Sequence, residues 1–265
     1  QGPISKAPRT PENGCTTDEG IQSIRQHLPK ATIIISTWEG ADCSGLDYDS
    51  VIYSHDPGPI NPYIVGPWSA HNNLNRQIIS TANGLKKVAT PFTLKFRGDH
   101  RLLGSDFICQ FETNDSNTSG SCLESKIVAS TWHTIDTTLY PSPYRVSDLF
   151  QFGRTSDLIK YWDASLASDP LRDPSPTSNN GWLRFYVIPL IRILTYAPEQ
   201  YLFISFLQRA GYPLPSNKPI FADNSFWQKS AQALYDHFII RDPADLGVKH
   251  PDRMANKPAL YTTSS

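Results

Sequence analysis

Short apolar runs alternate along the chain with stretches in which apolar residues recur every three or four positions. The runs, rich in β-branched residues, are typical of buried strands and cover residues 31–37, 51–53, 92–96, 127–132 and 238–240. The helical spacing covers residues 17–28, 71–88, 156–162, 198–207 and 226–236. This alternation predicts an α/β fold with a mostly parallel central sheet flanked by helices.

Length and composition narrow the class of protein. The 265 residues suffice for one large α/β domain or two small ones, and 39% hydrophobic and 18% charged residues are ordinary for a soluble domain. A formal net charge of −1 argues against broad nucleic-acid binding. The most apolar segment, Trp182–Leu194, is short and contains Arg184, Pro189 and Arg192, so it predicts a core segment and not a membrane span.

Several signatures of catalysis and metal binding are missing. The chain has no GxGxxG, GxxxxGK[ST], HExxH or GxSxG sequence. The four cysteines show no zinc-site spacing, and we expect reduced, structural thiols because a chain of this size does not need disulfides. The candidate chemistry therefore rests on polar clusters at the ends of the predicted elements.

Two such clusters follow predicted strands. They are Thr37, Trp38 and Glu39 at and after the end of the run at 31–37, and Lys95, Arg97, Asp99 and Arg101 at and after the end of the run at 92–96. In open α/β sheets, ligands bind outside the carboxyl ends of the strands. A carboxylate there can hold a metal ion or a sugar hydroxyl, and cationic side chains can face a phosphate. The alternative is a solvated turn, and the second cluster alone leaves both interpretations open.

Three further positions combine a structural and a functional interpretation. Asn73, Asn75 and Arg76 begin the helix at 71–88, which suits helix capping or contact with an anion or ribose. Asp148 lies in an aromatic stretch, where a carboxylate needs a partner or a function. Glu199 lies in the first turn of its helix, where the helix dipole favours it in any case. Convergent carboxylates with arginine and asparagine suit transfer from a phosphorylated, hydroxyl-rich donor.

An ordered series of short motifs resembles a known family. The series includes Gln1-Gly2-Pro3-Ile4, Ser36-Thr37-Trp38-Glu39-Gly40, Asp56-Pro57-Gly58, Asn73-Leu74-Asn75-Arg76, Phe96-Arg97-Gly98-Asp99, Ser147-Asp148-Leu149-Phe150-Gln151 and Pro198-Glu199-Gln200. From residue 1 to about residue 250, the chain resembles the WavE family of bacterial lipopolysaccharide-synthesis proteins. No single motif decides the resemblance, but the ordered set is fairly specific.

The resemblance implies a fold and an activity. It implies a glycosyltransferase built on a single GT-A-like nucleotide-sugar-binding domain at 1–265, with a nucleotide-binding half at 1–110 and an acceptor half with a C-terminal extension at 111–265. The partners would be a nucleotide-sugar donor and a glycan or lipid-linked glycan acceptor of lipopolysaccharide, O-antigen or capsule. Such an enzyme would be cytoplasmic, with peripheral contact at the inner face of the membrane.

The resemblance also assigns roles to residues. Contacts with the nucleotide sugar would come from Gln1, Gly2, Pro3, Thr37, Trp38, Glu39, Asn73, Asn75, Arg76, Lys95, Arg97, Asp99 and Arg101. The catalytic base would be Asp148 or Glu199. Asp99 takes the place of the Asp-x-Asp region of GT-A enzymes and would hold Mn²⁺ or Mg²⁺.

Two departures leave alternatives open. Arg101 occupies the second acidic position of that region, so transfer without a metal, with Arg97 or Arg101 as a diphosphate clamp, is the alternative to metal dependence. Asp47-Tyr48-Asp49 spells the acidic motif but precedes a predicted strand, so we predict a loop there.

Two other functions come into consideration for the whole chain. A sugar nucleotidyltransferase is poorly matched, since residues 1–14 lack its Gly-rich loop. A non-catalytic carbohydrate-binding or scaffolding domain is the remaining alternative.

Overall fold

The computed structural model describes residues 1–6, 14–65, 68–114, 120–136, 143–167, 197–214 and 224–251. The predicted core segment Trp182–Leu194 lies outside these residues. The helices are α1 (Thr17–His27), α2 (Leu74–Leu85), α3 (Asp106–Asn114), α4 (Thr155–Trp162), α5 (Pro198–Arg209), α6 (Asn224–His237) and α7 (Pro243–Leu246). The strands are β1 (Ile34–Trp38), β2 (Ser50–Ser54), β3 (Ile60–Val65), β4 (Trp68–Asn72), β5 (Phe92–Phe96), β6 (Arg101–Leu102), β7 (Ile127–Ser130), β8 (Phe150–Arg154), β9 (Phe238–Arg241) and β10 (Val248–Lys249).

The largest described sheet has four strands in the order β5-β8-β7-β9. Strand β8 runs antiparallel to both β5 and β7, whereas β7 and β9 are parallel. Strands β1 and β2 form a separate parallel pair. The four-stranded sheet takes β5 from the predicted nucleotide-binding half and its other strands from the predicted acceptor half.

The predicted α/β class is confirmed, but a mostly parallel sheet is not. Two of the three pairings in the four-stranded sheet are antiparallel. An apolar run indicates a strand buried on both faces and carries no information about strand direction. The sequence analysis also assigned no strand to residues 150–154, where β8 lies. The direction of β8 matters for function, because it decides at which edge of the sheet Asp148 lies.

Helices cover both faces of this sheet. Residues Ile127, Ala129 and Ile240 belong to a core shared with α2, α4, α5 and α6. Their neighbours Val128 and Ile239 belong to a second core with α1, α3 and α7. This alternation follows the two-residue period of a strand, whose successive side chains point to opposite faces. The result is a three-layer arrangement.

Local signals explain how α1 begins. The Thr16 hydroxyl accepts a hydrogen bond from the Glu19 backbone N–H, and the Glu19 carboxylate accepts one from the Thr16 N–H at 2.7 Å. This reciprocal pair satisfies two of the N–H groups that a helix start leaves without partners.

Two expectations from the sequence concerned the state of the cysteines and the presence of a membrane span. The cysteines Cys15, Cys43, Cys109 and Cys122 are free thiols. Among the described helices, none has both the length and the apolar character needed to span a bilayer.

Candidate functional site

One edge of the four-stranded sheet gathers most of the predicted polar residues. Strands β5 and β7 end at this edge, and β8 begins there because it is antiparallel to both. The segments that follow β5 and β7 and the segment that precedes β8 therefore meet. We call the charged and imidazole side chains gathered there the edge cluster: Lys95, Arg97, Asp99, His100, His133, Arg145, Asp148, Glu199 and His250.

Asp99 is held by its two neighbours in the edge cluster. Arg97 donates from Nε and Nη2 to the two carboxylate oxygens, at 2.9 Å each. His100 Nδ1 lies 2.8 Å from Oδ1. Burial opposes ionisation of Asp99, but the hydrogen bonds from His100 and Arg97 outweigh it and hold the pKa of the carboxyl well below its usual value. Asp99 is therefore an ionised carboxylate whose charge is balanced by Arg97.

These contacts bear on the predicted metal site. Both oxygens of Asp99 already face cationic or N–H donors, and a divalent cation would lie against the Arg97 guanidinium. Among the described residues, no group of three or more His, Cys, Asp or Glu side chains is arranged to hold a metal ion. The residues around Asp99 do not fit Mn²⁺ or Mg²⁺ in this arrangement, and we derive no step through a metal ion.

Lys95 and Asp148 form a buried pair beside Asp99. Lys95 is 5% exposed, donates from Nζ to the Asp148 backbone carbonyl and lies 4.9 Å from the centroid of the Trp162 ring. Burial lowers the pKa of Lys95 to about 8, although the Asp148 carboxylate acts in the opposite direction. Asp148 is 2% exposed, and its Oδ2 has no hydrogen-bond partner in the described part of the chain. A buried oxygen without a partner is costly and calls for an explanation, such as a catalytic role.

Glu199 lies at the other end of the edge cluster. Its Oε1 is 3.1 Å from His133 Nδ1, and its Oε2 is 3.5 Å from Arg145 Nε. Burial opposes ionisation of Glu199, but His133 and Arg145 outweigh it and keep the pKa of the carboxyl below its usual value. Because an ionised carboxylate only accepts hydrogen bonds, His133 Nδ1 carries a proton, and in the neutral form of the ring the lone pair is then on Nε2. That Nε2 has no hydrogen-bond partner among the residues described.

A pair of histidines connects the two ends of the cluster. The rings of His100 and His250 meet edge to face, with centroids 4.6 Å apart, and His250 also packs against Trp132 at 5.5 Å. His250 Nε2 lies 3.2 Å from the hydroxyl of Ser130, the last residue of β7. Burial lowers the pKa of His100, and it lowers that of His250 to about 2 with help from His100 and His133. Both imidazoles are therefore neutral at physiological pH.

The sequence analysis missed these histidines and Arg145. A signal was nevertheless present, because the tripeptide Ser-Thr-Trp occurs both at 36–38 and at 130–132. Each copy lies at the carboxyl end of a parallel-paired strand, β1 in one case and β7 in the other. The second copy marks the turn that carries His133.

The first residues of the chain bridge two strand ends near the edge cluster. The Gln1 α-amino group donates to the Phe96 carbonyl at 2.9 Å, and the Gly2 N–H donates to the Ser36 carbonyl at 3.1 Å. Gln1 Nε2 also lies 2.6 Å from the Ser80 hydroxyl. Pro3 is exposed. Burial, Lys95 and Arg97 together lower the pKa of the α-amino group to about 5.

The predicted residues at the end of β1 differ in their surroundings. Thr37 is fully buried, and its hydroxyl has no hydrogen-bond partner among the described residues. Trp38 is half-buried, whereas Glu39 is exposed and lies 3.4 Å from His55. Only the last two present side-chain surface that a ligand could reach.

The polar start of α2 is engaged in contacts within the protein. Arg76 donates from Nε and Nη2 to the two carboxylate oxygens of Asp56, at 2.7 and 2.6 Å, and from Nη1 to Asn73 Oδ1 at 3.0 Å. The Asn75 amide bonds both the N–H and the carbonyl of Ala167, at 2.8 and 2.9 Å. These contacts favour the structural interpretation of Asn73, Asn75 and Arg76.

Two other predicted positions lie away from the edge cluster's contacts. Arg101 is exposed on β6, opposite Lys249 of β10. Asp47 and Asp49 lie in a loop, as predicted, and form ion pairs with Arg25 at 3.0 and 3.1 Å.

Comparison with known proteins identifies the family. A protein-family model described as WavE lipopolysaccharide synthesis matches residues 1–263. The chain belongs to the WavE family. The description of the family connects this chain with lipopolysaccharide synthesis, as the resemblance implied. Comparisons with curated proteins and with solved structures gave no significant match.

Proposed function

We propose that this WavE protein is a glycosyltransferase that moves a sugar from a nucleotide-sugar donor to a glycan or lipid-linked glycan during lipopolysaccharide synthesis. The observation that carries the proposal is the edge cluster, which places two buried carboxylates and several cations at one edge of an α/β sheet. Glycosyl transfer with inversion at the donor sugar uses a base for the acceptor hydroxyl, and the leaving diphosphate is stabilised by positive charge. The cluster contains side chains of both kinds.

The His133–Glu199 pair is suited to the role of base. Glu199 accepts a hydrogen bond from His133 Nδ1–H, so in the neutral form of the ring the lone pair is on Nε2. The His133 side chain is 22% exposed, although its Nε2 atom is buried, whereas the whole of Asp148 is almost completely buried beside Lys95. In this proposal, His133 takes the proton from the acceptor hydroxyl and Glu199 positions the ring. Asp148 would support the charge on Lys95, and Lys95 with Arg97 would stabilise the diphosphate.

The surroundings of Asp99 support transfer without a metal ion. Arg97 already neutralises this carboxylate. We therefore expect turnover to be unaffected by a chelator. Turnover that EDTA abolishes and Mn²⁺ restores would contradict this part of the proposal.

A panel of nucleotides and nucleotide sugars tests the function. A donor that binds only the native protein raises its unfolding temperature, so stabilisation by one nucleoside diphosphate and its sugar would support the proposal and name the donor. Turnover of a nucleoside triphosphate with a sugar phosphate would instead indicate a sugar nucleotidyltransferase. Stabilisation by glycans, with neither binding nor hydrolysis of any donor, would indicate a non-catalytic carbohydrate-binding domain.

Variants assign the roles within the cluster. With the donor so identified, Glu199→Gln and His133→Gln should each lower kcat by roughly 10²-fold or more, the usual range for a general base. Asp157→Asn is a matched control at the opposite edge of the sheet, where this buried carboxylate accepts backbone hydrogen bonds from Glu124 and Ser125 at 3.0 and 2.9 Å. It should lower stability and leave kcat of the folded protein unchanged. An equal loss of kcat in Asp157→Asn would contradict the proposed catalytic roles of Glu199 and His133.

A further inference from the structure

Arg145 is a cation of the edge cluster that the proposed reaction leaves without a role. Its side chain is 24% exposed, and its Nε lies 3.5 Å from Glu199 Oε2 as an ion pair without a hydrogen bond. Its terminal nitrogens, Nη1 and Nη2, also donate no hydrogen bond to the described part of the chain. A guanidinium carries five N–H donors, so Arg145 keeps a strong and unused capacity to bind an acceptor atom.

Two other arginine–carboxylate pairs of this chain have a different geometry. In each, Nε and Nη2 donate to the two oxygens of one carboxylate: Arg97 to Asp99 at 2.9 Å each, and Arg76 to Asp56 at 2.7 and 2.6 Å. This two-pronged contact uses the guanidinium and the carboxylate together. Arg145 approaches Glu199 with Nε alone, which leaves Nη1 and Nη2 available for a second partner.

The backbone around Arg145 is held in place. Its carbonyl accepts a hydrogen bond from the Ile135 N–H at 3.1 Å, two residues after His133. The preceding residue, Tyr144, has a φ of +55°, and its N–H donates to the Ser230 hydroxyl at 2.7 Å. Positive φ at a non-glycine residue costs energy and is retained where the surrounding structure fixes it, often at functional sites. The guanidinium is therefore presented from a fixed position beside the turn that carries His133.

Glu199 places Arg145 on the same side of the reaction as the proposed base. Its two oxygens face His133 Nδ1 at 3.1 Å and Arg145 Nε at 3.5 Å. In displacement with inversion, the attacking oxygen and the leaving group lie on opposite faces of the sugar ring. The leaving diphosphate, assigned above to Lys95 and Arg97, is then on the face away from His133. Arg145 therefore faces the acceptor.

We propose that Arg145 binds an oxyanion of the acceptor, a carboxylate or a phosphate that lies close to the hydroxyl receiving the sugar. That the sugar carrying this oxyanion is the acceptor rests on the proposed function. The two terminal nitrogens of a planar guanidinium match two oxygens of such a group. A neutral glycan would leave these donors without that partner, and a site built to bind a polar group discriminates against a ligand that lacks it. The acceptor is thus an acidic glycan.

Neutralisation of Glu199 is the alternative role of Arg145. In that role, Arg145 would contribute to stability and to the charge of Glu199, but the protein would not distinguish acidic from neutral sugars. The preference for an acidic ligand therefore separates the two roles.

Three probes that differ only at the sixth carbon test the proposal: methyl glucoside, methyl glucuronide and methyl glucoside 6-phosphate. By titration calorimetry, the unmodified protein should bind one acidic probe roughly 10-fold or more tightly than the neutral one, the usual effect of a hydrogen bond to a charged group. A preference for the glucuronide assigns a carboxylate, and a preference for the phosphate ester assigns a phosphate. Arg145→Gln should abolish the preference, and Arg145→Lys should reduce it by roughly 3-fold or more, since lysine keeps the charge but loses the two-pronged contact.

Arg25→Gln is the matched control for these variants. Arg25 is 26% exposed, close to the value for Arg145, and forms ion pairs on α1 with Asp47 and Asp49. This variant should keep the preference for the acidic probe. If Arg145→Gln does not fold, the comparison of Arg145→Lys with Arg25→Gln decides.

Three results would overturn the proposal. They are equal or absent binding of the neutral and acidic probes, a preference that persists in both Arg145 variants, and loss of the stabilisation by a nucleoside diphosphate in Arg145→Gln. The last result would assign Arg145 to the leaving group.

The proposed function and this inference fail separately. A protein that binds an acidic probe through Arg145 but turns over no nucleotide sugar would keep the oxyanion site and lose the transferase function. A protein that hydrolyses a nucleotide sugar but shows no preference for the acidic probes would keep the function and lose the oxyanion site.

Discussion

His133 Nδ1 lies 3.1 Å from Oε1 of Glu199, and His133 reaches that position with a backbone φ of +66°. Non-glycine residues seldom adopt positive φ, and such backbone strain concentrates at functional sites. The strain is held by the turn around it: Thr134 Oγ1 donates to the Ser130 carbonyl at 2.7 Å, and the Ser147 N–H donates to Thr134 Oγ1 at 3.0 Å. The turn therefore fixes the imidazole against the carboxylate.

Two substitutions at this position separate backbone strain from loss of the ring. His133→Gly and His133→Ala both remove the imidazole, but only alanine keeps the steric penalty of positive φ. We expect the glycine variant to be more stable than the alanine variant by about 1 kcal/mol in urea unfolding. Equal unfolding free energies would show that the turn relaxes once the ring is gone.

The Asn75 amide is predicted to stabilise the fold and not to bind the donor. Asn75→Ala removes two hydrogen bonds to the Ala167 backbone, so the free energy of unfolding should fall by roughly 2 kcal/mol. The stabilisation produced by a nucleotide ligand should persist in the variant. Asn83→Ala on the same helix, which loses one bond to Ser54 at 3.0 Å, is the control and should lose less stability. If Asn75→Ala kept its stability but no longer bound the nucleotide, the result would instead support the predicted contact between Asn75 and the ribose of the donor.

The buried imidazole of His250 should make the protein sensitive to acid. Burial, His100, His133 and Arg97 lower its pKa from 6.5 to about 2, and Asp99 opposes them. Below pH 6.5 the His250 imidazole is protonated in the unfolded chain but stays neutral in the folded protein. The free energy of unfolding therefore falls as the pH falls from 6.5 towards 2. One such group contributes at most about 1.4 kcal/mol per pH unit.

His250→Asn should reduce this loss of stability, measured as the urea unfolding free energy at pH 6.5 and pH 4.5. His55→Gln is the control, because this side chain is 87% exposed and should leave the pH dependence as it is. Identical pH profiles for the His250 variant and the unmodified protein would contradict the prediction.

Gly20 allows α1 to approach the turn that holds the edge cluster. A Cβ atom added there would meet the His100 carbonyl oxygen at 2.9 Å, and backbone cannot move aside easily. Gly20→Ala should therefore destabilise the protein by roughly 1–3 kcal/mol in thermal or urea unfolding, despite the higher helix propensity of alanine. Gln22→Ala, at an exposed position of α1, should change stability little. If Gly20→Ala were more stable than the unmodified protein, α1 would be able to shift away from the His100 carbonyl without loss of stability.

Local sequence predicted part of the elements: it indicated no strand at β3, β4, β6, β8 or β10 and no helix at α3 or α7. Hydrophobic spacing located β5 at its observed bounds and α2 with small shifts at both ends, because the burial of a strand or of one helix face shows in the pattern of neighbouring residues. The Arg97–Asp99 pair is also local, since the two residues flank one glycine in a turn. The resemblance to the WavE family rests on such short motifs, and the family comparison confirmed it.

The tertiary structure decided how these parts meet. Glu199 and His133 are 66 residues apart in the sequence, and Asn75 and Ala167 are 92 apart. Patterns among neighbouring residues therefore do not reveal either contact. The direction of β8 depends on backbone hydrogen bonds to β5 and β7, which an apolar run does not specify. The sequence therefore determined which segments are buried and which polar residues follow them. Only long-range pairing determined that Asp148, Glu199 and three histidines share one edge of the sheet.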